Sequence, residues 1–110
     1  MIPTLSGQEQ VERMVAGTAP AWILKHSNTC PTSAAALDEV EAYLATHPDE
    51  SAGMVVVQID RPLSNWIATR LGRVHQSPQL FLVHRGQVVW AVSHWSITAA
   101  AMATQRAGIV

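Results

Sequence analysis

The sequence predicts an α/β fold: a central four-stranded mixed sheet, two parallel strands followed by a C-terminal antiparallel hairpin, with helices on both faces. Three observations lead there. Two short apolar runs, Ala21–Leu24 and Met54–Ile59, are separated by a segment with helical apolar spacing. Two further runs, Leu80–Val83 and Val88–Val92, flank the turn-forming His84-Arg85-Gly86-Gln87. A hydrophobic fraction of 48% against 14% charge gives 110 residues enough apolar material for one packed core, so a single domain over residues 1–110 is expected.

The elements follow in order. Ser6-Gly7-Gln8-Glu9 has the spacing of a capping box, in which Ser6 and Glu9 each satisfy a free backbone donor. Val11, Met14 and Val15 then predict a first helix of about ten residues, ended by Gly17 and Pro20. Ala21-Trp22-Ile23-Leu24 reads as a buried parallel strand. In His26-Ser27-Asn28-Thr29-Cys30-Pro31 the polar residues are cap and turn formers. Pro31 suits a first helical turn, where its missing N–H costs nothing. The helix behind it carries Ala34, Leu37, Val40 and Leu44 on one stripe and stops at His47-Pro48-Asp49-Glu50. Met54 to Ile59 is a valine-rich second strand. Asp60-Arg61-Pro62 opens a third helix, with Leu63, Ile67 and Leu71 along its buried face and Gly72 as its stop. After the hairpin, Ser96 or Thr98 caps an alanine-rich helix ending near Gly108.

The order α-β-α-β-α-β-β-α, with a helix joining two parallel strands and a closing hairpin, is that of a minimal thioredoxin fold. A net charge of −1, with the seven Lys and Arg scattered, argues against nucleic-acid binding. No apolar run approaches the roughly 18 residues of a membrane span, so no membrane partner is expected. The start, Met1 to Gly7, has neither the basic nor the apolar region of a leader, and a lone cysteine cannot form an intrachain disulfide. A cytoplasmic location is expected. The five histidines show no i, i+4 helical pair and no C-x-x-C partner, so no metal site is expected.

Cys30 is the chemical centre. The pattern sets it between a strand end and a helix start, the rim at which open α/β sheets bind ligands. Free N–H groups and the helix dipole favour its thiolate, which is the nucleophile. A lone cysteine is commonly a small buried hydrophobe, but Cys30 is flanked by Thr29 and Pro31 and precedes the apolar stripe. Pro78, in Gln76-Ser77-Pro78, belongs at a strand entrance. In thioredoxin-like proteins this position holds a cis proline facing the active cysteine, and the residue before it, here Ser77, leaves its backbone free to pair with an extended substrate.

The other candidates each have two readings. Thr29 and Ser33 either hydrogen-bond the Cys30 sulfur or cap the helix. Arg61 either meets a substrate carboxylate or is a solvated surface charge. His75 either tunes the thiolate as a nearby cation or is a hydrogen-bonded loop residue. His26 either acts likewise or terminates the first strand. Asp60 reads as a helix cap, and His94-Trp95 as packing for the last helix.

Four segments in this order resemble the monothiol bacilliredoxins, thioredoxin-fold proteins of bacteria that make bacillithiol. They are Leu24-Lys25-His26-Ser27-Asn28-Thr29-Cys30-Pro31, Gln58-Ile59-Asp60-Arg61-Pro62-Leu63-Ser64-Asn65, His75-Gln76-Ser77-Pro78-Gln79 and Ser93-His94-Trp95-Ser96-Ile97-Thr98. Thr32 departs from the pattern, standing where an aliphatic residue follows Thr-Cys-Pro; this leaves the nucleophile intact. The resemblance implies a thiol-disulfide oxidoreductase with Cys30 attacking and Pro78 cis. It would have no bound cofactor, bacillithiol as co-substrate and S-thiolated proteins as clients, and act as a monomer or weak dimer. Ser33 stands where a dithiol enzyme has its second cysteine, which closes the dithiol route. Two alternatives remain open on the residues: a [2Fe–2S] carrier of the monothiol-glutaredoxin kind, and a non-catalytic adaptor binding peptides along the Pro78 edge.

Overall fold

In the computed structural model, which describes residues 1–109, one sheet runs in the order β2-β1-β3-β4. The chain passes through α1 (Gln8–Ala16), β1 (Ala21–His26), α2 (Pro31–Ala45), β2 (Ser51–Val56), α3 (Arg61–Leu71), β3 (Gln79–His84), β4 (Gln87–Ser93), a 3-10 turn (His94–Ser96) and α4 (Ala99–Ala107). β1 pairs parallel with β2 and antiparallel with β3, and β3 with β4 is the expected hairpin. Side chains alternate between the faces. Trp22, Leu24, Leu80 and Leu82 meet Ala36, Val40 and Tyr43 of α2 and Met102 of α4 on one side. Ile23, Phe81 and Val83 meet Val11 and Val15 of α1 and Leu63 and Ile67 of α3 on the other. All six residues of β1 are therefore buried.

Register fixes what the sheet presents at each end. Lys25 pairs with Gln79, Gln79 with Ser93, and His26 with Val56. The ends of β1, β2 and β4 and the start of β3 thus share one rim, and the loops leaving it carry Cys30, Gln58, Arg61, His75 and Pro78.

Several sequence expectations hold. Asp60 Oδ1 accepts the Leu63 N–H at 3.2 Å, and Gly72 ends α3 at φ 65°. Of the two cap candidates for α4 it is Thr98 that accepts from Ala101 N, while Ser96 lies in the 3-10 turn. The hairpin turns through Arg85 and Gly86, both at positive φ (52° and 84°), the pair that a tight two-residue hairpin requires.

Three expectations are corrected. The capping box does not form: the Gln10 Oε1 takes both the backbone N–H and the hydroxyl of Ser6, and α1 starts without a side-chain cap. The buried stripe of α2 is Ser33, Ala36, Val40 and Tyr43, with Ala34 exposed and Leu37 and Leu44 at its margin. Tyr43 takes the inner position because its hydroxyl finds Glu50 there. β2 runs Ser51–Val56 and not Met54 to Ile59. The N–H groups of Ile59 and Asp60 both turn back to the Val56 carbonyl, which ends the strand and leaves Ile59 77% exposed. Leu5 packs so closely over Gly53, within the strand, that a Cβ there would overlap its side chain.

Candidate active site

β1 ends at His26, and four residues later Cys30 becomes the N-cap of α2, with Pro31 in the first turn. Cys30 is half-buried, in extended conformation (φ −104°, ψ 119°), and its side chain caps nothing. The sulfur therefore stands beside the free amides of the first turn. Its pKa is lowered from the ordinary thiol value, chiefly by the Ser33 backbone N–H; burial opposes this, and the Thr32 N–H and the Thr32 and Ser33 hydroxyls add to it. Both expected readings of Ser33 are exceeded. It is fully buried, and its Oγ accepts the Ser27 N–H at 3.2 Å, closing the loop that carries the cysteine.

Thr29 does not sit among the groups that hold the thiolate; that place belongs to Thr32. The Thr29 hydroxyl faces Ser27 Oγ at 3.4 Å and accepts from Gln58 Nε2 at 3.3 Å. Gln58 is the residue that sequence reasoning passed over. Its Oε1 accepts the Asn28 N–H at 3.1 Å and its Nε2 donates to Ser27 Oγ at 2.7 Å. It clamps the Cys30 loop to the loop after β2. The signal lay in its place within a matching segment, but a clamp across 31 residues has no local signature.

The loop between α3 and β3 forms the other wall. The Ser77–Pro78 peptide is cis, Pro78 is buried, and its carbonyl accepts the His94 N–H at 3.1 Å. Gln79 holds the loop from below: its Oε1 accepts from Gln76 N and its Nε2 donates to the Val74 carbonyl. Lys25, on the same face of the sheet, is fully buried, and its Nζ lies 3.0 Å from His75 Nδ1. Burial lowers the Lys25 pKa to about 8. His75 is itself held below the ordinary imidazole value by burial and by the charges of Lys25 and Arg61. That direction disfavours the imidazolium and speaks against the reading of His75 as a cation beside Cys30.

His26, one step past the Lys25–Gln79 pair, points to the opposite face and is buried. Its pKa is lowered by burial, against the Ser33 carbonyl and the charge of Glu41. Its Nδ1 has no hydrogen-bond partner. Arg61 is the exposed first residue of α3. The rim thus brings together a stabilised thiolate, a buried proline and a set of basic side chains. Among the described residues no three His, Cys, Asp or Glu side chains group as metal ligands, and no helix is long and apolar enough to cross a membrane.

A family model described as monothiol bacilliredoxin BrxC matches residues 3–102. A solved structure described as a candidate oxidoreductase with a thioredoxin fold is 34% identical, with a TM-score of 0.87 over 94% of this chain and 92% of that one. Thioredoxin from Trypanosoma brucei brucei aligns at 13% identity and TM-score 0.79, covering 99% of this chain and 90% of its own. Mitochondrial thioredoxin 3 from Saccharomyces cerevisiae, in its oxidized form, aligns at 15% and 0.75, covering 98% and 95%. At those identities the two thioredoxins speak for the fold alone.

Proposed function

Because the chain belongs to the monothiol bacilliredoxin family, with a fold that supports a thiol oxidoreductase role, we propose that it removes bacillithiol from S-bacillithiolated proteins through a mixed disulfide on Cys30. The observation that carries this reading is the cysteine itself. It stands half-exposed at a helix start, with its pKa lowered by the Ser33 and Thr32 amides and no second thiol in reach of it.

The chemistry needs two exchanges. The Cys30 thiolate attacks the bacillithiol sulfur of the modified client. The client's disulfide breaks, the Cys30–bacillithiol bond forms, and the client thiolate leaves and takes a proton. A second bacillithiol, as thiolate, attacks the bacillithiol sulfur on Cys30. Bacillithiol disulfide departs and the Cys30 thiolate returns. The sum is one modified client and one thiol converted to one free client thiol and one small disulfide. Ser33 cannot resolve the intermediate, so the second thiol must come from solution. The Ser33 and Thr32 amides favour the thiolate at the start and end of the cycle.

Intact mass after mixing the protein with a bacillithiol-modified client tests the proposal, with a glutathione-modified client as control. An adduct of bacillithiol mass on Cys30, with the client released, is expected. No adduct from either client would overturn it.

A further inference from the structure

The sheet has two edges, and the chain closes one of them. Along β2, Met54 donates to the Pro3 carbonyl and accepts the Leu5 N–H, both at 2.8 Å, so the amino-terminal segment lies where a fifth strand would pair. Among the described residues nothing does this for β4. The His94 N–H reaches the Pro78 carbonyl at 3.1 Å, and in the same register Leu80 faces Val92 and Leu82 faces Trp90. Hydrogen-bonded pairs alternate along an antiparallel ladder, so Trp90 and Val92 turn their amides to β3 while Ala91 and Ser93 turn theirs outward. Among the described residues those outward groups meet no backbone partner. A groove of about 410 Å³ runs along Ala91, Val92 and Ser93, with Val74 at its border 84% exposed, so α3 and its loop leave this flank open.

The side chains give this edge the same character. No residue of β4 is buried, against five of six in β3. Trp90 and Val92 lie at the margin of one core cluster and Val88 and Ala91 at the margin of the other, so both apolar faces run to the edge and stop there half-exposed. Gln87–Ser93 contains no charge and no proline, the residues that keep open edges apart. The protecting device present is the bulge at Leu82 and Val83, which leaves Trp90–Ser93 in regular register. We propose that the chain forms a dimer in which β4 of one copy pairs antiparallel with β4 of a second about a two-fold axis, through the outward amides and carbonyls of Ala91 and Ser93. A second copy fits because an antiparallel edge is its own complement: the two-fold sets each outward N–H against a carbonyl of the other copy. With no charged residue in the strand, no like charges of β4 meet across the axis. The pairing uses no cysteine and stands apart from the exchange role of Cys30.

The test uses the full chain in reductant, so that no Cys30–Cys30 bond forms. Sedimentation equilibrium from micromolar to millimolar protein should carry the mass from 11.9 kDa towards twice that value. Amide hydrogen exchange over the same series is the second readout. Exchange at Ala91 and Ser93 should slow about tenfold as the dimer fills. The Trp90 and Val92 amides, already bonded to β3, should slow less. Val89 is 45% exposed, so Val89→Lys puts a charge on the edge without disturbing the core, and it should weaken association about tenfold. A mass of one chain throughout the series would overturn the proposal. So would a dimer in which Ala91 and Ser93 exchange as fast as in the monomer, because its contact would then lie elsewhere. Association of Val89→Lys as tight as that of the parent would do the same.

Discussion

The two ends of the sheet handle buried polar groups in opposite ways. At the amino end of β1, Glu50 accepts the Trp22 indole N–H at 2.8 Å and the Tyr43 hydroxyl, which lies 2.8 and 3.0 Å from its two oxygens. Arg106 Nε stands 3.9 Å from the same carboxylate, a charge contact without a hydrogen bond, and the Tyr43 ring stacks on His47 at 4.0 Å. Burial and the Glu50 charge together push the Tyr43 pKa far up, so its proton stays in place. At the carboxyl end the groups are left short. Lys25 has no carboxylate, His26 Nδ1 and Ser64 Oγ have no partner, and the Cys30 thiolate is met by the neutral amides and hydroxyls of Thr32 and Ser33. One strand therefore carries a network that holds the fold at one end and a set of open valences at the other. Stability and reactivity occupy different ends of β1 because a shared carboxylate collects the buried donors at the first and no such acceptor stands at the second.

The largest effect that would break this division is on activity. Cys30→Ser should abolish exchange with any disulfide, while stability in urea stays within about 0.5 kcal/mol of the parent, as for a partly exposed site. Residual turnover would mean that the open end is not where the chemistry lies. Glu50→Ala should do the reverse. It leaves the Trp22 N–H and the Tyr43 hydroxyl buried without an acceptor, a loss of about 2–4 kcal/mol in chemical denaturation. The exchange rate of the folded fraction should not change.

Lys25→Met is the sharper probe, because it should stabilise the protein. Removing a buried ammonium that lacks a counter-charge is expected to add about 1–2 kcal/mol at pH 7. Its sign can be checked through pH. The folded pKa is about 8 and the ordinary value 10.5. Between them the unfolded chain keeps the proton that the folded chain has lost, so the parent gains stability as pH rises through this window. The advantage of Lys25→Met should therefore be full below pH 8 and fade towards pH 10.5. An advantage that is flat in pH would show that Lys25 carries no buried charge.

Much of the fold could be read from local chemistry. The caps at Asp60 and Thr98, the stop at Gly72 and the Arg85-Gly86 turn depend on a few neighbouring residues, and each formed. Cys30 was legible for the same reason: its chemistry comes from the helix start it occupies. What was missed depends on distant partners. Lys25 and His26 are two polar residues in a row at the end of β1, and their burial depends on cover from distant parts of the chain. Gln58 gains its role from Ser27 and Asn28, a separation no periodicity reports. The Ser6–Glu9 capping box satisfied its pattern and still lost to Gln10, which competed for the same donor. Local rules fail where a second partner competes or where tertiary cover changes the solvent.

Ser33→Ala tests the smallest difference, that between amide and hydroxyl at the sulfur. Alanine keeps the Ser33 N–H, the largest cause of the lowered Cys30 pKa, and removes the Ser33 hydroxyl, the least of them. The midpoint of the pH dependence of Cys30 alkylation should therefore rise only slightly. Stability should fall by about 1–2 kcal/mol, because the Ser27 N–H loses its acceptor in a fully buried setting. The residue would then belong to both ends of the comparison: its side chain acts on the fold and its backbone on the thiolate. A midpoint that climbs to the ordinary thiol value in Ser33→Ala would reverse the assignment. The hydroxyl would then be what holds the thiolate, and the helix start would count for little.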